Sequence, residues 1–280
     1  MLIRKRLEQQ YNNIVNKIGK IIGLYSCRRY IMRQVILLVL MLLIGTSLMG
    51  CSEDLQDDKQ VFEADVIENG ERLLISPDKE SQEYSSSDRI AVAVREADII
   101  DSNGKSTKLD MIKPGDRIKV YYNGLIAESY PAQITADRIE LLGPNKVISG
   151  FLALIDDIYQ EDSALNSNIT MIAFDTSGWT MLSEIETEII LNIVEKEYSL
   201  DVVVGTYDEL VIQGLIDKDN LYFENGILIE IGDIDINNDK DTINCSMRKW
   251  RSGKGAIGWN AEASLKNDTW EIERNNRWIS

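Results

Sequence analysis

"KPGDRIKVYYNG", residues 113 to 124, decides the first half of the fold. Pro114 and Gly115 stand where a type II turn needs them, because proline presets φ and glycine accepts a positive φ. Beyond that turn Ile118, Val120 and Tyr122 alternate with Arg117, Lys119 and Tyr121, which is a strand with one buried and one wet face. Asn123-Gly124 then turns the chain into Leu125 to Ala127. Working outward, Val61 to Ile67 alternates in the same way, Asn69-Gly70 predicts a tight hairpin, and Leu73 to Ile75 ends at Ser76-Pro77. Ile90 to Val94 adds a strand, and Asn103-Gly104 marks another hairpin-type turn. Short strands at this spacing predict a small barrel over residues 61–142, and the expectation is an all-β, five-stranded barrel of OB type.

Four stretches carry a resemblance: "ENGERLLISP" from Glu68, "SSDRIAV" from Ser86, the turn-strand quoted above, and "ESYPAQITADRIELL" from Glu128. Together they resemble the YobA-like domain of unknown function in lipoproteins of Gram-positive bacteria. That resemblance covers about 80 residues and implies a location and a fold, with no chemistry attached. Within it, Ser129-Tyr130-Pro131 has two readings. One is a ligand-facing loop at the barrel mouth, with Ser129 and Tyr130 as candidate binding residues. The other is the start of a strand in which Pro131 restricts Tyr130 to extended backbone. Ser129 is no nucleophile candidate, since nothing is present to activate it.

Histidine is absent from all 280 residues. That excludes Ser-His-Asp and Cys-His catalysis and any imidazole metal ligand. The charge is divided unevenly. Eight basic residues and one acidic residue precede Cys51, whereas 22 basic and 45 acidic residues stand from Cys51 onward. A body carrying a net charge of -23 repels phosphate backbones, so nucleic acid is not an expected partner.

The basic N-terminus leads to "VILLVLMLLI", residues Val35 to Ile44, with Arg33 just before it. Ten apolar residues are too few to span a bilayer, but they suit the hydrophobic region of a signal peptide. Leu48-Met49-Gly50-Cys51 resembles the lipobox of bacterial lipoproteins. That resemblance implies cleavage between Gly50 and Cys51 and a lipid, with palmitate among its acyl chains, on the Cys51 thiol. Residues 1–50 are therefore expected to be a signal peptide, and residues 51–60 an acidic tether to a body on the extracytoplasmic face of the cell membrane. Met32 begins a signal of ordinary length and is the expected start of translation. The alternative is a basic amphipathic extension with Ile14, Ile18, Ile21 and Ile22 on one face.

Gly143-Pro144-Asn145 punctuates the chain, and residues 151–280 are expected to form an α+β module. Ser183 followed by Glu186 is a capping box, and Leu182, Ile185, Ile189 and Ile193 recur at helical spacing, predicting a helix over 184–198. Thr206 and Glu209 repeat the box before a shorter helix. After Asp219 the alternation is again that of strands, over 221–223, 227–234, 242–250, 256–265 and 270–278. Helices followed by an antiparallel meander resemble the order of cystatin-like and NTF2-like folds.

All five tryptophans, Trp179, Trp250, Trp259, Trp270 and Trp278, fall in this module. Trp250, Trp259 and Trp270 are candidate sugar-stacking residues, or else core and cross-strand residues. Asp235, Asn237, Asp239 and Asp241 place oxygens at alternate positions as a calcium loop does, although Lys240 stands where such a loop needs glycine and Ser246 where it needs glutamate. Calcium is the one cofactor these residues suggest.

The resulting expectation is a non-enzymatic envelope lipoprotein that binds a wall component or a protein partner. The alternative is a glycan hydrolase working through carboxylates such as Glu186, Glu230, Asp233 and Glu262.

Overall fold

The alternation of residues 117–122 is realised in β5 (Asp116–Tyr122), whose Ile118, Val120 and Tyr122 are buried while the residues between them are partly exposed. The computed structural model describes residues 59–280, so the signal peptide, Met32, Gly50, Cys51 and most of the tether lie outside the described residues. The turn before β5 closes with Asp116 N–H donating to Lys113 O at 3.0 Å, and Gly115 takes a φ of 85°.

Around β5 run β1 (Gln60–Asn69), β2 (Leu73–Pro77), β3 (Ile90–Ala93), β4 (Asp98–Ile100) and β6 (Ala132–Pro144), with a one-turn helix α1 (Gln82–Ser86) between β2 and β3. The pairing order β1-β2-β3-β6-β5 returns to β1, which closes a five-stranded barrel. All of these pairs are antiparallel except β3 with β6, and β4 lies outside the ring, parallel to the far part of β6. The interior is a single apolar cluster including Phe62, Val66, Leu73, Ile90, Ile118 and Ile139. Closure leaves no free sheet edge inside the ring.

Asn69-Gly70 does mark a hairpin: β1 and β2 pair antiparallel, Asn69 stays in the ladder opposite Leu73, and the connection is three residues long. The Asn69 side chain also pins the 109–112 turn, donating to Leu109 O and Ile112 O at 2.7 Å each.

Asn145 ends the barrel and starts the second unit. Its side-chain oxygen accepts from the N–H groups of Val147 and Ile148, capping helix α2 (Lys146–Gln160). Then follow β7 (Met171–Asp175), α3 (Glu184–Tyr198), β8 (Asp201–Val204), α4 (Tyr207–Ile212), β9 (Gly226–Asn237), β10 (Thr242–Ser252), β11 (Gly255–Lys266) and β12 (Thr269–Ile279). They make one sheet in the order β12-β11-β10-β9-β7-β8.

The expected order of helices and then a purely antiparallel meander is therefore corrected. β7 and β8 are short parallel strands interleaved with the helices, and only β9 to β12 form the meander. A helix between two parallel neighbours is the usual way to connect them, and α3 does this for β7 and β8.

One face of the sheet is covered by α2 and α3, with Phe151, Leu154, Ile158, Ile189, Ile190 and Val194 packed on Ile227, Ile229, Ile257 and Trp259. The opposite face carries a smaller core at one end, where Leu210 of α4 and Phe223 meet Leu228, Trp250 and Ala256. The rest of that face is open. The barrel is bolted to this unit through Ile67 and Leu74, which join the helix-side core, and through Arg89, whose guanidinium grips both oxygens of Glu188 on α3. Asn145 adds hydrogen bonds to Gly115 O at 2.8 Å and to Asp65 Oδ1 at 2.9 Å. Among the described residues no helix is long and apolar enough to cross a membrane.

Candidate functional site

Strand alternation builds a site on the open face. Register places Asp175 of β7 beside Glu230 of β9, Glu230 beside Arg248 of β10, Arg248 beside Gly258 of β11, and Gly258 beside Trp278 of β12. Five strands thus deliver one transverse row reading carboxylate, carboxylate, guanidinium, bare backbone, indole. Above it lies a cleft of about 400 Å3, walled also by Ser177, Ser246, Asn260 and Asn276. The Thr176–Thr180 turn closes one side, and Gly178 lets it come down on β9, since a Cβ there would lie 2.8 Å from Ile231 O.

The electrostatics follow from that row. Burial pushes the Glu230 carboxyl above the ordinary glutamate range; the Arg248 charge works against this and Asp175 adds to it. Arg248 Nε stands 3.0 Å from Glu230 Oε2. The two groups touch as an ion pair without the alignment of a hydrogen bond, so both atoms are buried with hydrogen-bonding capacity unspent. The two side chains as a whole stay 28% and 42% exposed, so the rest of the carboxylate and of the guanidinium faces the cleft.

Gly258 governs the indole. A Cβ on it would come within 2.7 Å of Trp278 Cζ2 and of Met247 O. The missing side chain lets the indole lie close over the strand backbone, and Trp278 remains 43% exposed. A second, adjoining hollow shares Ser246 and Asn260 with the cleft and extends it past Asp233, Asn244, Glu262 and Asn275.

The residues singled out in the sequence are scattered across the molecule. Tyr130 is exposed beside the barrel at a cis Tyr130-Pro131 bond, and Ser129 Oγ donates to Pro131 O at 2.7 Å and accepts from Gln133 Nε2. Trp250 is buried under α4, edge-on to Tyr207. Trp270 packs on α2, donating to Ser149 Oγ at 3.0 Å. Trp259 is only 2% exposed; its indole belongs to the helix-side core beneath Arg274, and it meets the cleft where its strand passes. Of the carboxylates weighed for hydrolysis, Glu230 alone lies in the row; Glu186 closes the α3 capping box, while Asp233, which accepts from Ser246 Oγ, and Glu262 line the adjoining hollow.

Asp241 of the candidate calcium loop holds Lys146 Nζ at 2.8 Å, and Lys240 N–H donates to Asn237 Oδ1. Asp235, Asp239 and Asp241 do not converge: among the described residues no group of three or more acidic or cysteine side chains is placed to hold a metal ion. Cys245 is a buried free thiol pushed up to about 12 by burial, so it is not poised to react. Sequence reasoning missed Asp175, Arg248, Gly258 and Trp278 as a set. Each is unremarkable in its own strand, and only the register joins them.

Comparison with known proteins adds one match. Residues 64–143, from β1 to the end of β6, match the model of a family described as "Protein of unknown function (DUF3221)". No curated protein and no solved structure matches the chain.

Proposed function

We propose that this chain is a lipid-anchored, extracytoplasmic binding protein, non-enzymatic, whose ligand sits in the cleft on the open face of the second sheet. The observation that carries the reading is the row from Asp175 to Trp278, in which two carboxylates and a guanidinium, partly exposed, line one cleft beside an open indole. Convergent polar groups in a concave site are the usual mark of a ligand seat. The lipobox-like Leu48 to Cys51 supports the anchor, with Cys51 bearing the lipid and the body outside the membrane. The barrel we read as OB-like, on the strength of its ring order and the parallel closure of β3 on β6.

Two measurements test the reading. Cells expressing the chain and fed labelled palmitate should label the wild type and not Cys51→Ala; label in both, or in neither, removes the anchor. Thermal unfolding of the detergent-solubilised full chain should then be followed with wall glycans, short peptides and calcium in turn. A ligand at about 100 times its dissociation constant stabilises by roughly 2.7 kcal/mol. A shift that survives both Trp278→Ala and Arg248→Met places binding elsewhere and overturns the cleft.

One observation favours hydrolysis as a second reading. Asp175 and Glu230 stand opposite each other on adjacent strands and both line the cleft, and burial raises the Glu230 carboxyl with Asp175 adding to it; two interacting carboxyl groups in one cleft are what a glycosidase uses. Release of reducing ends by the wild type and not by Glu230→Gln would establish it.

A further inference from the structure

We propose that the ligand of this cleft is a saccharide, held with one sugar ring flat on the Trp278 indole and its hydroxyls on the polar row. The inference rests on the binding reading above and adds the ligand's chemistry. A pyranose has an apolar face of C–H groups and a rim of hydroxyls, each both donor and acceptor. The cleft offers the complement of each part.

The platform is preset. Trp278 lies against the backbone at Gly258, where even one added carbon would meet the indole at 2.7 Å, so the ring is backed on one side and open on the other. An aromatic ring already held in its binding pose loses little freedom on stacking. The rim partners are of mixed kind: the acceptors Glu230 and Asp175, the donor Arg248, and the amides Asn260 and Asn276, which do both. A ligand that only accepts would leave the carboxylates unmatched, and one that only donates would leave Arg248 unmatched. A hydroxyl serves either. Arg248 and Glu230 face each other at 3.0 Å through Nε and Oε2, yet their side chains remain 42% and 28% exposed, so the rest of the guanidinium and of the carboxylate can meet hydroxyls without breaking that ion pair. The adjoining hollow, with Asn244, Glu262 and Asn275, continues the same chemistry and gives room for further residues of an oligosaccharide.

The test is a calorimetric titration of the detergent-solubilised full chain with two probes, a β-linked N-acetylglucosamine tetrasaccharide and a lysine-containing tetrapeptide. The expected result is binding of the tetrasaccharide, weakened at least tenfold by Trp278→Ala and partly retained by Trp278→Phe. Gly258→Ala should weaken it as much as Trp278→Ala, although the indole is still present, because the added methyl lifts the ring. Should Gly258→Ala fail to fold, the Trp278 variants decide alone. Peptide binding lost in Trp278→Ala, with no saccharide binding, would overturn the saccharide while leaving the cleft as a binding site. Saccharide binding that Trp278→Ala does not change would overturn the stacking and the cleft together. Binding of neither probe overturns the proposal.

Discussion

Lys249 is fully buried, yet it points at polar atoms: its ammonium donates to the carbonyls of Tyr159, Glu161 and Asp162 and to Asn166 Oδ1. The three carbonyls lie at and just beyond the C-terminal end of α2, where a helix ends with partial negative charge. Burial pulls the Lys249 value down to about 8, with Asp162 and Glu161 opposing the change, so the side chain stays protonated at pH 7. Lys249→Met keeps most of the volume and removes the donor. Tyr159 O keeps Asn166 Nδ2 and Asp162 O keeps the Leu165 N–H, so the change strips Glu161 O of its donor; one buried acceptor left unpaired costs about 1 to 3 kcal/mol, and urea denaturation should show a loss of that size, with saccharide affinity unchanged. An unaltered midpoint would mean that water replaces the ammonium. Glu230→Gln should behave in the opposite sense: it removes a carboxylate that burial disfavours, and it costs ligand affinity more than stability.

At the scale of elements, α3 and α4 were legible in the sequence through their capping boxes, whereas α2 was not, and the expected boundary at 151 falls inside it. Ser183 and Glu186 form a full capping box, Ser183 Oγ accepting from Glu186 N–H at 3.1 Å while Glu186 Oε2 accepts from Ser183 N–H at 2.8 Å, and α3 runs over the residues expected of it. Thr206 and Glu209 repeat the arrangement ahead of α4. Ser183→Ala should therefore cost about 1 kcal/mol in chemical denaturation, whereas the exposed end of α4 should tolerate Ile212→Ser. Gly115→Ala should cost more than a cap. Its φ of 85° is unfavourable for any side chain, and the new methyl would press on Ile148 and Ile193 at 3.1 and 3.3 Å. The turn signals at Pro114-Gly115 and the alternation of β5 could be read because they are local. β7 and β8 could not: "MIAFD" is a short apolar run without alternation because β7 lies between two neighbours and is buried in the middle, and "DVVV" is a four-residue edge strand too short to show a period. The hairpin at Asn69-Gly70 could also be read, but not the long-range role of the Asn69 side chain, which answers to Leu109 and Ile112, 40 and 43 residues away.

At the scale of the whole molecule, the barrel and the second unit meet through a few specific contacts, and one of them titrates. The Arg89 guanidinium beside Glu188 holds that carboxyl below its usual range, with burial working against it. A depressed carboxylate stabilises the fold above the unfolded value, near pH 4.3, and that contribution is lost as pH falls through the lower folded value. Acid should accordingly loosen the junction, and Arg89→Met should remove that pH-dependent part; hydrogen exchange at β3 and α3 between pH 6 and pH 3 reads it directly. The proposed cleft was less legible than the fold for a physical reason. A core declares itself by periodicity within one strand, while the cleft is assembled from five strands, and its key tryptophan differs from the buried ones only in standing opposite a glycine. The central claim is that a ligand lies on Trp278 above the row from Asp175 to Gly258. A crystal structure of the full chain grown with the tetrasaccharide tests it most directly. The expected result is a sugar ring parallel to the indole, with its hydroxyls on Glu230, Arg248 or Asn260; a saccharide seated on the barrel, or an empty cleft beside one bound elsewhere, would contradict it.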